Sequence, residues 1–261
     1  MQIFVINLPS AVDRRKLQKE QLTELGLEYI ILDATSISDI NEATYKKHYF
    51  DWQRPLKKTE VACYFSHRSA WDKIIKSRKP ALILEDDAIL SKALPELLIN
   101  LNNIKNTDLI NLENRNRKKF VSNSHLEIGC NSKLLRLYQD RTGAAGYILW
   151  PSGAKKLMQF EKNKGIGLAD AHIKECYSLI SYQVEPTPII QLDQCKDYGV
   201  FNSYTNVNSK STVSSNQNDR GGIYFILKRL FSQIKLAFWQ LLILTKSKRR
   251  YILIKISDFN V

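Results

Sequence analysis

The segment Ala81-Leu82-Ile83-Leu84-Glu85-Asp86-Asp87 sets three acids directly after four apolar residues. A short apolar run of this kind reads as a buried strand. Carboxylates held beside such a strand are costly unless a cation or strong donors receive them. Ligands of open α/β sheets gather at the carboxyl ends of strands. Glu85, Asp86 and Asp87 are therefore read as a site for a divalent metal and, through it, a phosphate. In an extended segment Glu85 and Asp87 point to one side and Asp86 to the other, so Asp87 is the first expected ligand and Glu85 the second. A solvated polar turn would leave the same triplet. Cys63 and His67, four apart on one helical face, form a second pattern; a half-buried helix contacting the site accounts for it better than ligation.

Positioning these groups requires a sheet. Gln2 to Ile6 predicts a first strand, ended by the turn Asn7-Leu8-Pro9-Ser10. Asp13 is placed to cap a helix to Leu25, with Gly26 to stop it, and Glu28 to Leu32 predicts a second strand. This order opens a parallel, doubly wound sheet. A helix is expected over 59–76, then the 81–84 strand, a helix over 94–104 and a strand over 108–112. Residues 113 to 133 are polar and read as irregular, with a basic cluster from Arg115 to Lys119. Strands are expected over 132–138 and 146–150, then helices from Pro151 or Ser152 to Gln159 and over 170–180, and a short extended piece to Val184. Residues 202 to 221 are rich in Ser and Asn and read as a polar linker.

Charge separates the last segment from the rest. The formal charge of +13 over 261 residues is uneven: residues 220 to 257 hold nine Lys/Arg and no Asp/Glu, while residues 1 to 219 hold 30 basic and 25 acidic residues. A body this close to balance gives no reason to expect nucleic acid as a partner. The four cysteines lack C-x-x-C spacing, which speaks against a zinc knuckle or a disulfide framework. The amino-terminal run is too short, and lacks the basic flank, for a signal peptide. A cytoplasmic chain is expected. In the tail, apolar and aromatic residues alternate with Lys228, Arg229 and Lys235, and the longest uncharged run, Leu236 to Thr245, is half of the roughly 20 residues a span needs. An interfacial amphipathic helix is expected, with Lys246, Lys248, Arg249 and Arg250 meeting anionic headgroups. A helix packed on the domain with its basic side in water is the alternative.

Three blocks in this order and spacing resemble glycosyltransferase family 25, the bacterial lipo-oligosaccharide glycosyltransferases. They are Ile3-Phe4-Val5-Ile6-Asn7-Leu8 with Asp13-Arg14-Arg15; Thr59-Glu60-Val61-Ala62-Cys63-Tyr64-Phe65-Ser66-His67 with Ala70-Trp71 and Leu82 to Asp87; and Thr142-Gly143-Ala144-Ala145-Gly146-Tyr147-Ile148-Leu149 with Gly153 to Leu157 and Asp170. Thr59 and Ala62 stand where the family usually has glycines, and Asp170-Ala171-His172 stands where an Asp pair is common. Whether Asp170 acts alone or with His172 is left open.

The resemblance implies a GT-A-like α/β domain over residues 1–201 with a mostly parallel sheet, followed by the linker and a basic amphipathic helical tail over 222–261. It implies an inverting transfer of a hexose, most often galactose from UDP-galactose, to a lipo-oligosaccharide core sugar. It also implies Mn²⁺ or Mg²⁺ held by Glu85 and Asp87 against the diphosphate, and Asp170 as the base. Asn7, Arg14, Arg15, Ser66, His67 and Asp86 fall on the donor side, the arginines as partners for uracil or phosphate. The Arg115 to Lys119 loop is matched to phosphorylated core sugars. An anionic membrane surface would receive residues 222–256, attaching the protein peripherally to the inner membrane. UDP-glucose or another donor, a protein-hydroxylysine acceptor, and a non-catalytic binding protein on the same fold are the competing readings.

Overall fold

The computed structural model describes residues 1–129, 131–140, 143–200 and 222–259. The expected linker over 202–221, Thr142 of the third block and Cys130 lie outside them.

A nine-stranded sheet organises the chain. Its strands, in chain order, are β1 (Gln2–Asn7), β2 (Ile30–Asp33), β3 (Ala81–Glu85), β5 (Leu109–Asn111), β6 (Lys119–Glu127), β7 (Lys133–Gln139), β8 (Gly146–Leu149), β9 (Ser181–Glu185) and β11 (Ser247–Arg250). Their spatial order is β11-β6-β7-β9-β5-β8-β3-β1-β2, and β4 (Ala88–Leu90) pairs with β10 (Ile189–Gln191) beside it. Six of the nine strands run in one direction, with β7, β8 and β11 opposed, so the sheet is mostly parallel by strand direction. Only three of its eight pairings are parallel.

Both faces are covered, which is why the central strands are apolar without alternation. Phe4, Ile6, Ala81 and Ile83 pack with Trp71 and Leu157 of α3 (Lys58–Ser77) and α5 (Pro151–Lys164). Ile3, Val5, Leu82 and Leu84 pack on the other side with Leu97 and Leu101 of α4 (Leu94–Leu101). The remaining helices are α1 (Val12–Glu24), α2 (Glu42–His48), α6 (Ala169–Glu175), α7 (Cys195–Tyr198) and α8 (Ile223–Ile243).

Several expectations are corrected. Helix α1 begins one residue before Asp13, which sits in its first turn and serves the dipole rather than the cap. Gly26, at φ +65°, closes the helix as expected, with the Leu27 N–H donating to the Leu22 carbonyl. The 113–133 stretch contains β6, whose outer half is exposed and so lacks an apolar signature. The tail is a helix only to Ile243; β11 then pairs antiparallel with β6, and Ile252 and Phe259 are buried. Arg250 therefore faces Glu185, with Nη2 to Oε2 at 2.6 Å, not a headgroup.

Lys119 is also not a surface cation. Its ammonium is buried and meets Asp140 at 2.8 Å, Gln183 Oε1 at 2.7 Å and the Glu113 carbonyl at 2.8 Å. Removing one member of a satisfied buried pair strands the other. Lys119→Met is expected to cost about 3–5 kcal/mol, read as a lower urea midpoint; a change below about 1 kcal/mol would refute the role.

Candidate functional site

Parallel pairing of β1 with β3 brings Asn7 and Glu85 to the same end of the sheet, with Ile6 opposite Glu85 in register. The chain then turns through Asp86 and Asp87 into a cleft of about 1210 Å³. Thr35, Cys63, Ser66, His67, Gly143 and Asp170 line it as well.

The three acids have distinct surroundings. Asp86 accepts from Asn7 Nδ2 at 2.9 Å and from Arg14 Nη1 at 3.1 Å. Glu85 accepts from His67 Nε2 at 3.0 Å and from Gln191 Nε2 at 3.2 Å. Asp87 Oδ1 is buried with no hydrogen-bond partner among the described residues, and so is Gln191 Oε1. Burial, and then the charges of Glu85 and Asp86, push the Asp87 carboxyl up to about 7. Asp86 is also raised by burial, against the pull of Arg14. A buried carboxylate oxygen without a donor, beside two further acids, is the environment a divalent cation relieves. Hard oxygen donors of this kind suit Mg²⁺ or Mn²⁺.

His67 holds Glu85 in place. Trp71 Nε1 donates to the Tyr147 hydroxyl oxygen at 2.9 Å, and that hydroxyl lies 3.0 Å from His67 Nδ1. With the Tyr147 proton given to Nδ1, the tautomer that fits these contacts carries its proton on Nε2 and donates it to Glu85. Cys63, His67 and Glu85 together offer three potential ligand atoms within 4.8 Å. Both ring nitrogens of His67 are engaged, however, and burial with nearby acids pushes the Cys63 thiol far up. Of the three acids that follow the β3 run, Asp87 is the one with a buried oxygen left without a partner among the described residues; Glu113 Oε1 and Asn7 Oδ1 nearby are in the same condition.

Asp170 lies in the first turn of α6 and reaches the same cleft. Its Oδ2 accepts from Lys174 Nζ at 3.2 Å and from the Gly143 N–H at 3.3 Å. His172 turns the other way: it is buried among Tyr64, Trp71 and Phe160, and burial lowers its pKa. It is not among the residues lining the cleft, whereas Asp170 is. Arg14 lines the cleft, whereas Arg15 is exposed on α1 and does not. Ser66 lines it while its hydroxyl is committed, accepting from Thr35 N–H and donating to the Ala62 carbonyl, both at 2.9 Å.

One residue of this neighbourhood escaped the sequence reading. Glu113 follows β5 as Glu85 ends β3, a strand-then-acid signal of the same kind. Its Oε2 accepts from the Ala145 N–H at 2.8 Å, and burial, then the charge of Glu85, push its carboxyl up to about 8. Gly143, at φ +91°, packs so closely that a Cβ there would stand 2.4 Å from the Glu113 carboxylate. Glu113 thus fixes the loop that carries the Gly143 N–H to Asp170. Of the basic cluster, Arg115 pairs with Asp193 at 2.7 Å and Lys119 is buried; Arg115 and Arg117 line the cleft.

Residues 1–173 match the family model for glycosyltransferase family 25 (LPS biosynthesis protein). The chain is 31% identical over 178 residues to procollagen galactosyltransferase 1-A of Xenopus laevis, a match spanning 61% of this chain and 28% of that protein. A putative glycosyltransferase of Haemophilus influenzae is 29% identical over 171 residues, 64% of this chain and 60% of that one. Lipooligosaccharide biosynthesis protein lic2B, also of Haemophilus influenzae, is 25% identical over 203 residues, covering 73% of this chain and 76% of its own length. The chain thus spans less than two thirds of the first two relatives.

Proposed function

The chain belongs to glycosyltransferase family 25, and from that membership we propose that it moves galactose from UDP-galactose, with inversion, onto a core sugar of a lipo-oligosaccharide. The observation that carries the reading is the unpartnered Asp87 oxygen among three acids at the strand ends of a cleft large enough for a nucleotide sugar. Names of the relatives support it: galactosyl transfer in one, lipooligosaccharide biosynthesis in another.

Each residue has a task in this reading. Asp87, with Glu85, would hold Mn²⁺ or Mg²⁺, which supplies charge neutralisation for the departing diphosphate. Asp86 holds the Arg14 guanidinium at 3.1 Å, which places its positive charge at the cleft wall on the donor side. His67 holds the Glu85 carboxylate in position through the 3.0 Å hydrogen bond from Nε2. Asp170, aimed by Lys174 and the Gly143 N–H, takes the proton of the acceptor hydroxyl as that oxygen attacks the anomeric carbon. The acceptor being lipid-borne, the protein works at the cytoplasmic leaflet.

UDP release by the full-length protein, measured over a panel of UDP-sugars with Mn²⁺ and truncated lipo-oligosaccharide, tests the reading. UDP-galactose turnover stimulated by acceptor is the expected result. Turnover of UDP-glucose instead would keep the class and correct the donor. No turnover, and no Mn²⁺-dependent binding of any UDP-sugar, would overturn it in favour of a non-catalytic binding protein.

A further inference from the structure

Helix α8 presents its two faces in the reverse of the usual order. Polar side chains hold it to the body along its length, with the buried Phe225, stacked on Phe50 at 5.7 Å, and Ile243 anchoring its two ends. Lys228 donates to the carbonyls of Phe50 and Asp51, and Arg229 to that of Gln53 at 3.2 Å. Trp239 Nε1 donates to the Tyr138 carbonyl at 3.1 Å, and its ring stacks on Tyr177 at 4.5 Å. Lys235 lies over the rings of Phe160 and Tyr177. The opposite face carries Ile223, Leu227, Leu230, Ile234, Phe238 and Leu241, each more than half exposed. Spaced by threes and fours, they form one apolar stripe along a helix about 30 Å long. Surface helices in water normally turn such a stripe inward, and an exposed patch on this scale marks a binding face.

We propose that this stripe inserts into the interfacial layer of an anionic bilayer, and that apolar contact, not basic charge, is what holds the protein there. The inference rests on the lipid-borne acceptor of the functional reading. Charge complementarity selects lipid over a second copy of the chain. Residues 222 to 257 hold no acidic side chain, and Lys246, Lys248 and Arg249 stand exposed just beyond the end of the stripe. Two copies joined stripe to stripe in parallel would bring these cations together. Joined antiparallel, they would set them against the partner helix's positive N-terminal end. Anionic headgroups meet both the cations and, beneath them, the apolar side chains. No helix among the described residues is long and apolar enough to cross a membrane, which agrees with a helix lying in the interface plane.

The attachment has a direction. A small cavity of about 50 Å³ is lined by Trp239 of α8 together with Asp140, Gly143 and Lys174. Gly143 also lines the main cleft and donates to Asp170. Helix α8 therefore sits beside the Asp170 end of the cleft, where the acceptor hydroxyl must arrive.

Flotation of the full-length protein with vesicles tests this, using phosphatidylcholine alone and phosphatidylcholine mixed with phosphatidylglycerol, each at low and high salt. Binding to the mixed vesicles should persist at high salt. The pair Ile234→Glu with Leu241→Glu should reduce it at least about tenfold, and Lys248→Gln with Arg249→Gln should reduce it far less. Both positions face solvent, so circular dichroism and turnover of a soluble acceptor should be unchanged. Binding abolished by salt and indifferent to the glutamates would overturn the proposal, as would a dimer seen by sedimentation that the same glutamates dissolve. Soluble-acceptor turnover is read separately, so failure of the transferase reading would show as its loss in the unsubstituted protein.

Discussion

Asp87→Asn is expected to lower turnover about a thousandfold and, in the metal-free protein above neutral pH, to raise stability. Both effects come from the same carboxylate. Its Oδ1 is buried without a donor, and burial with Glu85 and Asp86 beside it pushes its pKa up to about 7 from 3.8. Between these two values the folded state keeps a proton that the unfolded state has released, so stability falls as pH rises across that window. The penalty is complete above the folded value and absent below the unfolded one. Asparagine never ionises, so the variant escapes it. Urea unfolding in the presence of a chelator should give Asp87→Asn the higher midpoint at about pH 8 and nearly the same midpoint as the parent near pH 4. Metal affinity of the parent should weaken roughly tenfold per unit as pH drops below about 7, since the proton competes for the ligand. A variant that keeps a tenth of parental turnover, or that unfolds earlier at about pH 8, would remove Asp87 from this role.

What the sequence could convey about this site follows from where the information lies. The apolar run into Glu85-Asp86-Asp87 announces a buried strand ending in charge, because burial and charge are properties of side chains. Leu109-Ile110-Asn111-Leu112-Glu113 carries the same signal more weakly, because Asn111 interrupts the apolar run and Glu113 stands alone. Strand direction is not a side-chain property. Opposition of β8 to β3 and β5 is therefore invisible until the pairing is seen. Nor is edge pairing: β11 joins β6 by backbone bonds, while its Lys and Arg residues read as a solvated run. Helix α8 marks a different limit. Its apolar and basic faces are plain in the sequence, but which one meets the body depends on what the body offers. The carbonyls of Phe50, Asp51 and Gln53, and the rings of Phe160 and Tyr177, receive cations better than they would receive leucines.

Asp170→Asn should cost between about a hundredfold and ten thousandfold in kcat, with the KM for donor little changed. The amide keeps the shape and can still accept from the Gly143 N–H, but it cannot take a proton and it loses the ion pair with Lys174. Position supports a chemical role over a structural one. Asp170 is not the helix cap, which is Leu168, and it lines the cleft that Asp87 lines. His172→Gln supplies the contrast two residues away. Its imidazole is enclosed by Tyr64, Trp71 and Phe160, and Nε2 lies 3.2 Å from both the Tyr64 hydroxyl and the Leu157 carbonyl. Replacing it should lower the unfolding midpoint and leave kcat within about threefold of the parent at a temperature where both are folded. Saturating donor binding, measured apart from turnover, separates the two roles: Asp170→Asn should bind UDP-sugar and Mn²⁺ normally and fail only in transfer. Were the losses reversed, with His172→Gln inactive and Asp170→Asn within tenfold of the parent, the proton would have to leave through the core side of α6. That side is closed by the three aromatic rings, so such a result would also mean that the helix turns over when acceptor binds.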